Sequence, residues 1–401
     1  MKKRRFPWFL VGFLVLLGLA YGGFAWYCYV PVKDPATLAA VEAGVADRLA
    51  AQEKIPAEDN GFEELRPIWG FKTDEGLDDQ RYASLRALPA FCVEHDCFFT
   101  LSEMRKVLKE QGPGLLAAEK QSDSEYPALI AALEKPAFFY PTKLEVHDQV
   151  PNLVAIRSAC QLLAARAALR AVQGRAGEGA LPLLLGVRMG ARLGQNGGTL
   201  AQAIGISSMA ISLAPLEEML GENLLKPQEC KALLPELAKI PFEAGDYVKA
   251  TDSELVVGLN GLRRFEFAHE PGLAMTAPPV IGPLFTNREK GLLVNLYLER
   301  RPKIEKLEPV PNPPEDAYPW DRAVGLLEPN NPRLLLQFKL MLVKLAAVRA
   351  MATLGAGEPM PEGTGLDYKK VGQDYELSFT ADWLNQVHRG ETIHFHPPEQ
   401  P

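Results

Sequence analysis

Cysteine, histidine and aspartate side chains lie close together in the segment Phe-Cys-Val-Glu-His-Asp-Cys. Its members Cys92, His95, Asp96 and Cys97 carry atom types that bind zinc, but the spacing is not that of a zinc finger and no second Cys/His pair lies nearby. In an oxidising compartment the two cysteines would instead form a disulfide. Three interpretations therefore stay open: a Cys92–Cys97 disulfide, a metal site, or ordinary burial.

A second group of candidate metal ligands lies near the C-terminus and consists of His388, His394 and His396. On a β-strand, residues two apart share a face, so His394 and His396 would both reach one ion. The competing interpretation is an exposed strand end beside the proline-rich terminus.

Two pairs of arginines have a spacing that places each pair on one helix face: Arg166 with Arg170, and Arg188 with Arg192. If their helices are antiparallel neighbours, the four side chains would converge on an anion-binding groove. The alternative is a solvated face on which the arginines pair with glutamates.

Catalytic residues are not identified by any motif. The segment Gly205-Ile-Ser-Ser-Met lacks the second glycine of a nucleophile elbow. The sequence also has no phosphate-binding loop and no dinucleotide fingerprint, so we expect no cofactor.

The N-terminus predicts how these groups are placed in the cell. Residues 1–6 include four consecutive cations, and an apolar run follows that predicts a membrane-spanning helix over 7–30. At ~1.5 Å per residue such a helix is ~36 Å long, enough to cross a bilayer. The aromatic residues near its end favour an uncleaved anchor over a signal peptide, and the basic N-terminus predicts that it stays in the cytoplasm.

The exported part that this topology predicts is net acidic. The chain has 43 basic residues, four of which precede the span, against 50 acidic ones. Nucleic acid is therefore not expected as a partner. Because 47% of the residues are hydrophobic, the chain is able to bury a large core.

Helix signals divide the exported part into a helical membrane-proximal region, 31–147, a main helical domain, 148–380, and a tail, 381–401. In the first region Asp34 and Pro35 predict a helix start, and Thr100 to Glu103 form a capping-box pattern. Gly112 and Pro113 are expected to end that second helix, and residues 56–79 to form an extended connection.

The main domain is predicted to begin with three helices between 151 and 220, joined by glycine-containing turns so short that the helices must pack as antiparallel neighbours. A last long helix is expected through Leu354. The alternating pattern of 366–379 then predicts a β-hairpin, and 391–396 a third short strand.

The segment Val154–Leu220, with its Ala-Arg-Ala-Ala-Leu-Arg-Ala-Val-Gln-Gly core, resembles a group of bacterial envelope proteins of the planctomycete kind. So does Leu345–Phe379, in which a long helix leads into a hairpin. The resemblance implies a basic N-terminus, one membrane span and an exported helical domain, and no activity. The hairpin is also similar to that of type II secretion pseudopilins, although Pro7 stands where their cleavage motif would be.

The sequence thus predicts a mainly α protein with an N-terminal transmembrane helix, an exported array of helical hairpins and a small C-terminal β-hairpin. We expect an inner-membrane protein that contacts the bilayer through residues 7–30 and binds an envelope protein as an interaction or scaffold module, because helical arrays present broad surfaces. The alternatives are a metal-assisted exported hydrolase and an accessory component of a secretion or pilus-like apparatus.

Overall fold

The computed structural model describes residues 8–69, 78–144, 152–195, 197–264, 282–308, 332–360, 366–371, 374–379 and 393–395. It is mainly helical, with a small antiparallel sheet near the C-terminus. The elements before the central helices are α1 (Trp8–Tyr27), α2 (Pro35–Glu53), a 3-10 turn (Ala57–Asp59), α3 (Gly61–Trp69), α4 (Asp79–Glu94), α5 (Leu101–Ser122) and α6 (Tyr126–Glu134). They are followed by α7 (Leu153–Val172), α8 (Ala176–Gly194), α9 (Thr199–Gly221), α10 (Pro227–Ala238), α11 (Ala244–Arg264), α12 (Gly282–Glu305), α13 (Pro332–Gly355), β1 (Leu366–Val371), β2 (Asp374–Phe379) and β3 (Ile393–Phe395).

Helices α7, α8 and α9 form the centre of the molecule and pack against one another. Along α8, Gly179 lies against Ala167 near the end of α7, whereas Gly194 lies against Gln202 near the start of α9. The start of α8 thus lies beside the end of α7, and the end of α8 lies beside the start of α9, as antiparallel packing requires. The predicted antiparallel arrangement of these three helices is confirmed.

Glycine allows α8 and α9 to approach closely. A Cβ atom on Gly190 would lie 2.6 Å from the carbonyl oxygen of Gly205. A Cβ on Gly205 would likewise overlap the carbonyl oxygen of Gly190. Backbone therefore packs on backbone at this crossing, and a side chain there would force the helices apart.

The remaining helices surround this centre. Helices α4 and α5 pack on α7, α10 on α8 and α13, and α13 on α9. Helix α11 contacts α2, α9 and α12. The buried apolar side chains form one cluster that runs from Leu38 in α2 to Leu377 in β2, so the membrane-proximal region and the main domain share a core.

Carboxylates of neighbouring helices also bind the first amides of two helices. The N-cap of α9, Gly198, makes no side-chain hydrogen bond; instead the Glu254 carboxylate of α11 accepts from the Thr199 N–H at 2.9 Å. Similarly, Glu218 of α9 accepts from the Leu101 N–H of α5 at 2.5 Å. These contacts satisfy orphan helical amides and fix one helix against another.

The predicted cap of α2 is confirmed: the Asp34 carboxylate accepts from the Thr37 N–H at 3.0 Å, and Pro35 opens the helix. The capping box at α5 is half right. Thr100 accepts from the Glu103 N–H at 3.3 Å, but the Glu103 carboxylate accepts from the Phe98 N–H rather than from Thr100.

One predicted boundary is confirmed and another is wrong. The helix that begins at Leu101 ends at a kink at Gln111 (φ −131°), directly before the predicted stop at Gly112 and Pro113, and a second segment of α5 continues from there to Ser122. After this kink Pro113 lies in the first turn of the second segment, where its missing N–H needs no helical partner. The expected extended connection over 56–79 contains the 3-10 turn and α3, because Phe62, Leu65 and Ile68 recur at a helical spacing and are buried; residues 70–77 lie outside the described residues.

Within the part of the chain that the structure describes, α9 is the one helix whose length and composition would allow it to cross a membrane, and 56% of its apolar window is buried inside the protein. A core helix passes the same test. From Val15 onward, where its side chains are described, α1 is also apolar, and it is exposed: Leu16 by 67%, Leu19 by 68% and Trp26 by 81%. The transmembrane segment 7–30 stays a prediction.

The C-terminal sheet has the strand order β1-β2-β3, with both pairs antiparallel. In the hairpin Leu366 pairs with Phe379 and Val371 with Asp374. The predicted hairpin and third strand are confirmed. The tail predicted over 381–401 is described here through β3 alone.

Candidate functional site

Cys92 and Cys97 lie at the C-terminal end of α4, and both side chains are fully buried free thiols. The Cys97 N–H donates to the Cys92 carbonyl at 2.8 Å, and the Asp96 N–H donates to Val93 at 3.2 Å. With Asp96 in the left-handed region (φ 52°), this is a Schellman motif. The motif brings the two cysteine residues next to each other.

His95 and Asp96, the other members of that sequence cluster, point to different surroundings. The His95 ring packs on Phe91 with 4.3 Å between centroids, and Asp96 is exposed. No group of three or more potential metal ligands occurs among the residues described by the structure.

Of the C-terminal histidines, His394 lies in the middle of β3, opposite Glu376 of β2. His388 and His396 lie outside the described residues. The metal prediction for these three residues is therefore not tested.

Arg166 and Arg170 of α7 are engaged by α5. The Glu119 carboxylate, which is 7% exposed, lies 2.6 Å from Arg170 and 3.8 Å from Arg166. Arg166 also pairs with Asp123 at 2.5 Å and lies over the Tyr126 ring. This buried ion-pair group joins α7 to α5 and α6.

Arg188 and Arg192 of α8 bind the C-terminal end of α6 instead. Arg188 donates to the Leu133 carbonyl at 2.9 Å and Arg192 to the Lys135 carbonyl at 2.8 Å. Burial, with a smaller contribution from Arg188, lowers the pKa of Arg192 to about 10. The two arginine pairs thus have different partners, with which an anion would have to compete; the anion groove stays a prediction.

A further polar site was not predicted from the sequence: it is the juncture at which α12 holds the segment that follows α1. The Arg288 guanidinium lies over the Tyr27 ring, 4.1 Å from its centroid, and donates to the Tyr27 carbonyl at 3.0 Å. One turn on, Gly291 lies so close to Val30 that a Cβ would overlap its carbonyl oxygen. Helix α12 therefore holds the end of α1 through the Tyr27 ring and through the backbone.

Asn295 completes this juncture. Its side-chain amide donates to the Pro31 carbonyl at 2.9 Å, and its oxygen accepts from the Lys33 N–H at 2.7 Å. Together with Arg288 and Gly291 it forms one face of α12, because the three residues are three and four positions apart. This spacing places the three residues on one face, but the sequence does not show what that face contacts.

Helix α2 is tied to the same part of the domain. Its Arg48 donates to Ser253 of α11, and burial lowers the pKa of this arginine. Tyr297 of α12 donates to Asp252 of α11, which also lies 3.5 Å from Arg301. The chain leaving α1 is thus fixed through both α12 and α2.

A groove of about 620 Å³ opens beside this juncture, between the start of α2 and the second half of α12. Lys33, Asp34 and Thr37 line one side, and Asn295, Glu299 and Arg301 lie on the other. The lining mixes both signs of charge, so it does not select a charged ligand class.

No protein-family model matches this chain, and neither a curated protein nor a solved structure matches it. The resemblance of Val154–Leu220 and Leu345–Phe379 to the envelope proteins stays a prediction. What the chain does is therefore inferred from its own geometry.

Proposed function

We propose that the protein is a single-pass membrane protein whose exported helical domain is an interaction or scaffold module of the cell envelope. The observation that carries this proposal is the juncture of Arg288, Gly291 and Asn295 with the end of α1. A flexible tether would need no such contacts. A module that must present one face to a partner at a fixed height above the membrane does.

The exposed apolar surface of α1 supports the membrane part of the proposal. Leu16, Leu19 and Trp26 are each more than half exposed, and a contiguous apolar surface of this kind is unfavourable in water. A bilayer would cover these side chains. The aromatic residues Trp26, Tyr27 and Tyr29 would then lie at the membrane interface, beside the cation of Arg288.

Membrane insertion is tested by alkaline carbonate extraction of cells that express the full chain. We expect the protein to stay in the membrane pellet, and a double variant, Leu16→Arg with Leu19→Arg, to be released. The matched control is Leu181→Arg with Leu200→Arg, because these leucines are exposed by 41% and 54% on the domain. Release of the unaltered protein would contradict the anchor.

Orientation and partner are tested separately. An alkaline phosphatase fused to the C-terminus is expected to be active, since the domain is proposed to be exported; an inactive fusion contradicts that orientation. Crosslinking in the native membrane, followed by mass spectrometry, is expected to recover the same envelope protein in each repeat. Recovery of this protein alone would contradict the scaffold role.

A further inference from the structure

We infer that Cys92 and Cys97 are a disulfide-forming pair that covalently closes the turn between α4 and α5. The inference rests on the Schellman motif described above. In that motif the third residue from the helix end and the second residue beyond the cap are brought into side-chain contact. Here these two positions are occupied by Cys92 and Cys97, so the backbone that ends α4 also brings the thiols together.

The surroundings of the pair favour closure over metal binding or exchange with other proteins. Both side chains are fully buried, and no group of three or more potential metal ligands occurs among the described residues. The backbone hydrogen bond from the Cys97 N–H to the Cys92 carbonyl, 2.8 Å long, keeps the two residues next to each other.

The chemistry is thiol–disulfide exchange with an external disulfide as oxidant. The thiolate of one of the two cysteines attacks one sulfur of that disulfide, and a mixed disulfide forms while a thiolate leaves. The other cysteine, after losing its proton, then attacks the protein sulfur of the mixed disulfide, and the second external thiolate leaves. The external disulfide gains two electrons and becomes two thiols, and the protein loses two thiol protons.

Burial determines at which stage of folding this reaction takes place. In the folded chain neither sulfur is accessible, so exchange takes place while the α4–α5 turn is still open to solvent. Once packed, the bond would be protected from reductants. The turn it closes positions Leu101, whose N–H binds Glu218 of α9, so the closed ring would hold the start of α5 against the central helices.

Two other cysteines provide an internal control. Cys160, inside α7, and Cys230, inside α10, are also buried free thiols, and neither shares a Schellman motif with a second cysteine in the part of the chain that the structure describes. Burial raises the pKa of Cys160 to about 12 and of Cys230 to about 11. These residues should stay reduced under conditions that oxidise Cys92 and Cys97.

The experiment is oxidative refolding of the full-length protein in detergent with a glutathione redox buffer, followed by denaturation, alkylation of free thiols and proteolysis. Trypsin leaves both cysteines in the peptide 87–105, which should be unalkylated and lighter than the reduced peptide by two hydrogen atoms. A protease that cuts after Glu94 separates the cysteines, so the halves should stay linked until a reductant is added. The inference would be overturned if Cys92 and Cys97 were alkylated, or if they were linked to other cysteines instead of to each other.

Stability provides a second readout. We expect addition of a reductant to lower the unfolding midpoint of the oxidised protein by roughly 2–5 °C. The double variant Cys92→Ser with Cys97→Ser should show no such shift, while Cys230→Ser should retain it. Equal shifts in all three proteins would contradict closure at this turn.

The state of the pair inside cells rests on the proposed export, because cytosolic thiols are kept reduced. Cells are therefore quenched with acid and alkylated before the same mapping. A linked pair both in vitro and in cells supports the disulfide and the export. A pair that links in vitro but is alkylated in cells supports the chemistry of the site and contradicts the exported location.

Discussion

Helices α1 and α9 are both apolar along most of their length, yet they have opposite surroundings. In α9 the apolar residues face α7, α8 and α13, and Met209, Leu213 and Leu216 are completely buried. In α1 the described side chains Leu16 and Leu19 are more than two thirds exposed. The apolar side chains of α9 are therefore covered inside the protein, whereas the exposed ones of α1 need an external apolar partner.

Polar residues account for this difference. Between Trp8 and Tyr27 the chain has no serine, threonine or amide side chain. Helix α9 contains Gln202, Ser208 and Ser212, all buried against other helices. Buried polar side chains of this kind need partners inside the protein, whereas a helix without them is compatible with lipid.

The largest effect expected from this comparison follows from truncating one leucine in each helix. Leu213→Ala should lower the free energy of unfolding by about 2–5 kcal/mol, because it leaves a cavity in a packed core. Leu16→Ala should leave domain unfolding nearly unchanged. Chemical unfolding of the detergent-solubilised protein measures both; similar losses would show that α1 is part of the folded core.

Close packing through glycine is tested next. Gly205→Ala should lower the free energy of unfolding by about 1–3 kcal/mol, because the new Cβ meets the backbone of α8. Gly44→Ala in α2 is the control, since nothing lies within 4 Å of its new Cβ, and it should raise stability by about 0.5–1 kcal/mol. A neutral Gly205→Ala would mean that α8 and α9 are farther apart than the structure has them.

The juncture at the end of α1 should give a smaller and local effect. Asn295→Ala removes both hydrogen bonds to the 31–33 segment, each worth about 1 kcal/mol. Hydrogen exchange at the Lys33 amide should accelerate while exchange in α9 stays unchanged. Asn287→Ala, at an exposed position of the same helix, is the control. Unchanged exchange at Lys33 would contradict a fixed attachment of α1.

The smallest effect concerns Glu218, whose pKa is raised mainly by burial and also by Glu222 and Glu103. Because the raised value belongs to the folded state, ionisation at pH 7 costs stability, and this cost disappears as the pH falls below the unfolded value of about 4.3. Glu218→Gln keeps an acceptor for the Leu101 N–H. It should therefore stabilise at pH 7 by less than about 0.5 kcal/mol after solvent screening, and the gain should vanish near pH 4.

Thermal melts over this pH range check the prediction. Glu217→Gln provides a control of opposite sign, since Glu217 pairs with Lys344 at 2.9 Å and its loss should destabilise slightly. A gain for Glu218→Gln that grows as the pH falls would contradict the raised pKa.

Local patterns were sufficient to predict much of the fold. The cap at Asp34, the three central helices and the hairpin at 366–379 depend on residues near one another in the chain, and all are confirmed. The second segment of α5, from the kink at Gln111 to Ser122, was not predicted, because Gly112 and Pro113 signal the end of a helix but not that another begins directly after it.

The candidate sites were less predictable for the same reason. The spacing of Cys92 and Cys97 left a disulfide, a metal site and ordinary burial open. Their proximity follows from the left-handed conformation of Asp96. Arg188 and Arg192 both donate to backbone carbonyls at the end of α6, which no side-chain pattern reveals. Arg188 also lies 3.6 Å from the Glu236 carboxylate of α10. The juncture joins Lys33 to Asn295 across 262 positions, beyond the reach of any local signal.

That separation has a consequence for biosynthesis. When the apolar N-terminal segment leaves the ribosome, the helix that will hold its end has not yet been made. At about 5–20 residues per second, roughly 13–50 s pass before Asn295 is synthesised. The attachment of α1 therefore forms late, and a chain interrupted before α12 would leave α1 without the contacts that hold its end.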